Sequence, residues 1–166
     1  YLTFRPEAFI IDEAIYFYRI HSGSAETAVS LANLKKKHHS YTKITRILAE
    51  CPKDFTVWSG NDDLITPVIS LGGMGVISVL SNVLPVETQA MARAALAGDF
   101  DTASALQIEL QPLVEALFSE VNPIPVKAAM AYLGYDCGGC RLPLTPLSEK
   151  NREELGRILE QYRLSC

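Results

Sequence analysis

The run Phe55–Asn82, FTVWSGNDDLITPVISLGGMGVISVLSN, leaves few folds open. It holds two short apolar, β-branched runs, Phe55–Ser59 and Gly75–Leu80, with a segment of helical character between them. Neither run alternates polar with apolar, which is the pattern of strands covered on both faces in a parallel sheet. Asp62 and Asp63 put negative charge where the intervening helix would begin, the end at which such charge is favourable. Two parallel strands cannot be joined by a tight turn and need a crossover, usually helical. The run therefore predicts a βαβ unit, and the rest of the chain reads as further units of that kind.

Taken in order, Phe4–Asp12 predicts a short helix and Ala14–Ile20, AIYFYRI, a buried strand. A polar turn at Gly23 leads to a short helix over Glu26–Leu31, a brief strand over Ala32–Lys35 and a basic patch, Lys36–Ser40. Tyr41–Cys51 has Ile44, Ile47 and Leu48 on one helical face and is stopped by Pro52. Beyond the central unit, helices are expected over Val86–Ala97, ended by Gly98, and over Phe100–Val121, with Leu106, Leu110, Leu113, Leu117 and Val121 as its apolar stripe. Asn122–Pro125 breaks the pattern. Further helices are expected over Val126–Leu133, closed by Gly134, and from Ser148, a good N-cap, to Arg163. Four parallel strands alternating with helices define an α/β fold, either half a barrel or an open sheet, because the common closed parallel barrel needs eight.

Composition narrows the function classes. The 166 residues are 48% hydrophobic and 20% charged, as expected of one globular chain with a real core. A net charge of -4 argues against a nucleic-acid surface. No apolar run is long enough to cross a bilayer, and the start YLTFRPEAF lacks a signal-peptide layout, so a cytoplasmic protein with no membrane partner is expected. Cys51, Cys137, Cys140 and Cys166 do not make a disulfide scaffold at this length and read as reduced thiols. No metal is expected either. Neighbouring His38 and His39 point apart on any regular element, and Cys137-Gly-Gly-Cys140 lacks the second pair that a structural zinc site uses. The glycines of Gly72-Gly73-Met74-Gly75 precede a strand rather than opening a helix, which excludes a dinucleotide loop.

Four motifs add a resemblance. Trp58–Asp63 (WSGNDD), Gly72–Asn82 (GGMGVISVLSN), Asn122–Gly134 (NPIPVKAAMAYLG) and Arg141–Glu149 (RLPLTPLSE) stand in the order and spacing found in dihydrodipicolinate synthases. The chain resembles that family of Schiff-base lyases over roughly its last two-thirds. The resemblance implies the C-terminal half of a TIM (β/α)8 barrel with about four parallel strands over residues 1–97, followed by a helical extension over 98–166.

It also implies a chemistry. Lys35 falls on the position whose amine forms an imine with pyruvate, and Tyr18 on the tyrosine that relays protons. Gly60 and Ile77 match positions that line the pyruvate site, the first leaving room and the second packing against the imine. The implied reaction condenses pyruvate with aspartate semialdehyde in lysine biosynthesis, needs no cofactor beyond the covalent imine, and runs in a homo-oligomer. A lysine imine requires an unprotonated amine, against an ordinary pKa of about 10.4, and the adjacent Lys36 and Lys37 would depress it. The family's carboxylate-holding arginine has no counterpart before Ala25-Glu26-Thr27, and the residues after Lys35 depart from the family pattern. The first half of the barrel has no counterpart in this chain. An N-acetylneuraminate lyase-like activity is the nearer rival, and a non-catalytic remnant the more distant one. The isolated chain is expected to be marginally stable or dimeric through its open edge, with no measurable turnover.

Overall fold

A computed structural model describes residues 42–52 and 54–162. The strands expected at Ala14–Ile20 and Ala32–Lys35, with the helices expected at Phe4–Asp12 and Glu26–Leu31, lie outside the described residues. Helix α1 covers 42–50, with Ile44, Ile47 and Leu48 half-buried and the exposed Arg46 and Glu50 paired at 2.8 Å.

Strand β1 (Trp58–Ser59) and strand β2 (Gly75–Val76) are parallel, with Trp58 opposite Gly75 and Ser59 opposite Val76. Between them run a 3-10 turn, Asp62–Leu64, and helix α2 (Ile65–Ser70), so the crossover is the predicted βαβ unit. The ladder continues by one bond at each end: the Met74 N–H donates to the Val57 carbonyl and the Ile77 N–H to the Ser59 carbonyl, both at 2.8 Å.

Both strands are shorter than expected. At the front, the Phe55 N–H turns back to the Pro52 carbonyl at 2.9 Å. At the back, polar side chains divert the chain. Ser78 Oγ accepts the Ser81 N–H at 2.8 Å, and Asn82 Nδ2 donates to the Val79 carbonyl at 2.9 Å, which winds Leu80–Asn82 into a 3-10 turn. Local side-chain bonds of this kind offer the backbone an alternative to the ladder. Nor are both faces of the two runs covered: Trp58 is 53% exposed and Ile77 76%, while Ser59 and Gly75 are buried. At Gly75, φ is +152°, and a Cβ would stand 2.6 Å from the Trp58 ring, so only glycine fits beneath that indole.

The helical layer follows. Helix α3 (Pro85–Leu96) opens on Pro85, which suits the first helical position, and buries Thr88, Met91 and Ala95 along one stripe. Gly98 at φ +82° stops it, and the Asp99 N–H returns to the Ala94 carbonyl at 2.9 Å. Asp99 then caps helix α4 (Phe100–Glu109) by accepting the Thr102 N–H at 3.1 Å.

The single helix expected over Phe100–Val121 is two. Pro112 has no N–H to give the Ile108 carbonyl, and the chain re-forms as helix α5 (Gln111–Leu117). Leu110, Leu113 and Leu117 are buried as expected, but Val121 lies beyond the helix and is 42% exposed. Helix α6 (Ile124–Tyr132) and helix α7 (Glu149–Gln161) complete the layer. Ser148 stands at the N-cap of α7, yet its hydroxyl does not cap the helix; it donates to Glu120 Oε1 at 2.6 Å. One apolar core runs from Ile65 through Leu80, Met91, Leu113 and Leu117 to Leu159, joining the crossover helix to the tail.

Candidate functional site

The site is built at the C-terminal ends of β1 and β2, where chemistry is placed in parallel sheets. The bond from the Ile77 N–H to the Ser59 carbonyl sets Ile77 beside Gly60, one residue past each strand. Gly60 has no atom within 4 Å of where a Cβ would lie, so the space above β1 is open. Ile77, one residue past β2, is 76% exposed. The structure thus brings Gly60 and Ile77 together. Lys35 and Tyr18 lie outside the described residues.

Beneath these two residues the loops are tied from within. Ser59 Oγ donates to the Asn61 carbonyl at 2.8 Å and accepts the Asn61 N–H at 3.2 Å, folding the chain sharply after β1. This turn sends the Asp62 side chain inward. Asp62 Oδ2 accepts the N–H groups of Val79 at 2.9 Å and Leu80 at 3.0 Å, so one carboxylate joins the exit of β1 to the exit of β2. Its Oδ1 is buried without a hydrogen bond. Burial raises the Asp62 pKa above the ordinary aspartate value, against the opposing bonds from Ser78, Leu80 and Val79.

Gln107 on α4 braces the same corner from behind. Its Nε2 donates to the Asp62 carbonyl at 2.9 Å, and its Oε1 accepts the Thr66 N–H at 3.1 Å. In the sequence Asp62 has the look of a helix-end charge, and Gln107 carries no signal. The partners of both are distant in sequence, and no spacing rule points to them. Among the described residues, no group of three or more His, Cys, Asp or Glu side chains gathers as a metal site would. No helix among them is long and apolar enough to cross a membrane.

A parallel βαβ unit with open strand ends and a helical layer behind it has the form of one part of a larger α/β fold. The family profile described as Dihydrodipicolinate synthetase family matches residues 25–162, and the chain belongs to that family. The 4-hydroxy-tetrahydrodipicolinate synthase of Acetivibrio thermocellus is 46% identical over 128 residues, covering 77% of this chain and 44% of that protein. The protein of the same name from Exiguobacterium sibiricum is 41% identical, covering 96% of this chain and 58% of its own length. Among solved structures, the dihydrodipicolinate synthase of Aquifex aeolicus superposes with a TM-score of 0.73 at 42% identity, over 75% of this chain and 43% of that one. The chain spans about half the length of the curated relatives it matches. Its fold is accordingly the C-terminal part of a TIM barrel with the helical extension.

Proposed function

We propose that this chain carries the second half of a synthase-type lyase that condenses pyruvate with aspartate semialdehyde. In this reading the Lys35 amine attacks the keto carbon of pyruvate, water leaves, and the resulting imine loses a methyl proton to give the nucleophile that meets the aldehyde. Tyr18 relays the protons, Gly60 leaves room for pyruvate, and Ile77 packs against the imine. No cofactor is needed beyond the imine itself. Residues 1–97 form the barrel portion and 98–166 the extension, in a cytoplasmic homo-oligomer.

The observation that supports this reading is the pair at the strand ends. Gly60 and Ile77 stand side by side, with open space over the glycine and an exposed aliphatic side chain beside it. Room over a glycine next to an apolar side chain suits a compact keto acid held on an amine.

Borohydride reduction in the presence of pyruvate tests it. The expected product is a single reduced pyruvate adduct in the intact mass, mapping to Lys35 and lost in Lys35→Ala. A chain that takes up no adduct, or takes it up on surface lysines unchanged by Lys35→Ala, overturns the imine and leaves a non-catalytic remnant. Turnover of both substrates belongs to the proposal for the whole protein, because positioning groups supply many powers of ten in rate.

A further inference from the structure

The loop between α6 and α7 holds the second feature of chemical interest, independent of the lyase reading. Lys127, on α6, extends its ammonium into this loop and donates to three consecutive carbonyls: Cys137 at 2.9 Å, Gly138 at 3.3 Å and Gly139 at 2.8 Å. An ammonium has three protons to give, and here each has a carbonyl. Successive carbonyls in extended chain point to opposite sides, so three that meet on one nitrogen mean a curled backbone. The curl has two further causes. Gly138 takes φ +65°, and its N–H donates to Asp136 Oδ1 at 2.8 Å.

The residues at the two ends of this curl are Cys137 and Cys140, both free thiols. Extended chain would hold residues three apart at about 10 Å, beyond the roughly 4.4–6.8 Å between Cα atoms that a disulfide accepts. Winding the three carbonyls around one cation draws those ends together. The two thiols also differ in access: Cys137 is exposed, whereas Cys140 is half-buried against the core. A Cβ at Gly138 or Gly139 would meet nothing within 4 Å, so the backbone between the two thiols is not packed against neighbouring atoms there.

We propose that Cys137 and Cys140 form a reversible intraloop disulfide, templated by Lys127, through exchange with a low-molecular-weight disulfide. Cys137, as thiolate, attacks one sulfur of the small disulfide; its S–S bond breaks and one small thiolate leaves with a proton. Cys140, as thiolate, then attacks the Cys137 sulfur, the mixed disulfide breaks, and the second small thiol departs with a proton. Two protein thiols are oxidised and one small disulfide is reduced to two thiols.

The test equilibrates the full chain in mixtures of oxidised and reduced glutathione, in native buffer and in denaturing guanidinium, followed by acid quench and tryptic mapping. Residues 128–141 form one peptide that carries both thiols (94–141 in Lys127→Met, which lacks that cleavage site), while Cys51 and Cys166 fall on other peptides. The expected result is loss of two hydrogen masses from that peptide, with an equilibrium constant at least tenfold larger in the native chain, equivalent to about 30 mV for this two-electron couple. Lys127→Met should remove that tenfold advantage and Lys127→Arg should retain most of it, with circular dichroism reporting that both variants fold. Equal constants in native and denatured chain, a stable glutathione adduct on Cys137 without ring closure, or an unchanged constant in a folded Lys127→Met each overturn the proposal.

Discussion

At the strand ends Asp62 reaches 17 and 18 residues along the chain, to the N–H groups of Val79 and Leu80, from a fully buried position. In the helical layer Glu120 reaches 28 residues to Ser148, accepting its N–H at 3.1 Å and its hydroxyl at 2.6 Å, and 31 residues to the Asn151 amide at 2.7 Å. Both carboxylates staple one loop to another. Their electrostatics run in opposite directions. Burial raises the Asp62 pKa by more than its bonds lower it, whereas the Glu120 pKa ends below the ordinary value: burial raises it, but the bonds from Ser148 and Asn151 outweigh that. The deciding variable is access to water, since an orphaned Oδ1 in the protein interior is costly and a half-exposed glutamate keeps its hydration. The strand-end region therefore accepts an unfavourable charge to hold its loops, while the helical layer gains from its charge.

The largest effect is expected where neither carboxylate acts. Leu113 is fully buried between the crossover unit and the tail, and Leu113→Ala should cost about 3–4 kcal/mol in denaturant unfolding. A loss under about 1 kcal/mol would mean that the two regions do not share one core. Asp62→Ala comes next, at about 2–3 kcal/mol, because two N–H groups lose their acceptor inside the protein.

The pH dependence separates the carboxylates further. For Asp62 the folded pKa is raised, so its contribution is complete below the ordinary 3.8 and is lost as pH rises through the folded value. For Glu120 the folded pKa is lowered, so its contribution is present above the ordinary 4.5 and is lost as pH falls through the folded value. Stability measured against pH, wild type minus variant, should fall with rising pH for Asp62→Asn and rise for Glu120→Gln, the latter by less than about 1 kcal/mol because the site is half in water. Slopes of the same sign would break the comparison. The smallest effect is expected at Ile77, which is 76% exposed: Ile77→Ala should change the unfolding free energy by less than about 0.5 kcal/mol while reducing pyruvate adduct formation.

Much of this arrangement was legible in the residues. Gly98 and Gly134 set helix boundaries through their own backbone limits, and they adopt φ +82° and +83°. The two apolar runs did become parallel strands. What periodicity overran was local polar chemistry. Ser78 sits inside an apolar run and reads as strand, yet with Ser81 just beyond the run it winds the backbone into a turn. Pro112 sits inside a leucine stripe that keeps helical spacing on both sides of the break, so the stripe reads as continuous. Ser148 carries the ordinary signature of a cap, but its hydroxyl is turned to Glu120, to which it donates, and accepts no helix N–H. Within the site, Gly60 and Ile77 were named from the motif resemblance, while Asp62 and Gln107 depend on contacts between distant segments that no local pattern announces.

The separation between Asp62 and its partners also bears on the order of assembly. Closing a chain over 17 or 18 residues costs less entropy than closing one over the 45 between Gln107 and the Asp62 carbonyl. It also needs nothing beyond Leu80. The strand-end clamp is therefore available as soon as Leu80 has been synthesised, before any residue of α4 exists to brace it. In a refolding experiment read by amide exchange, the Leu80 N–H should gain protection ahead of the Thr66 N–H, although Thr66 comes first along the chain.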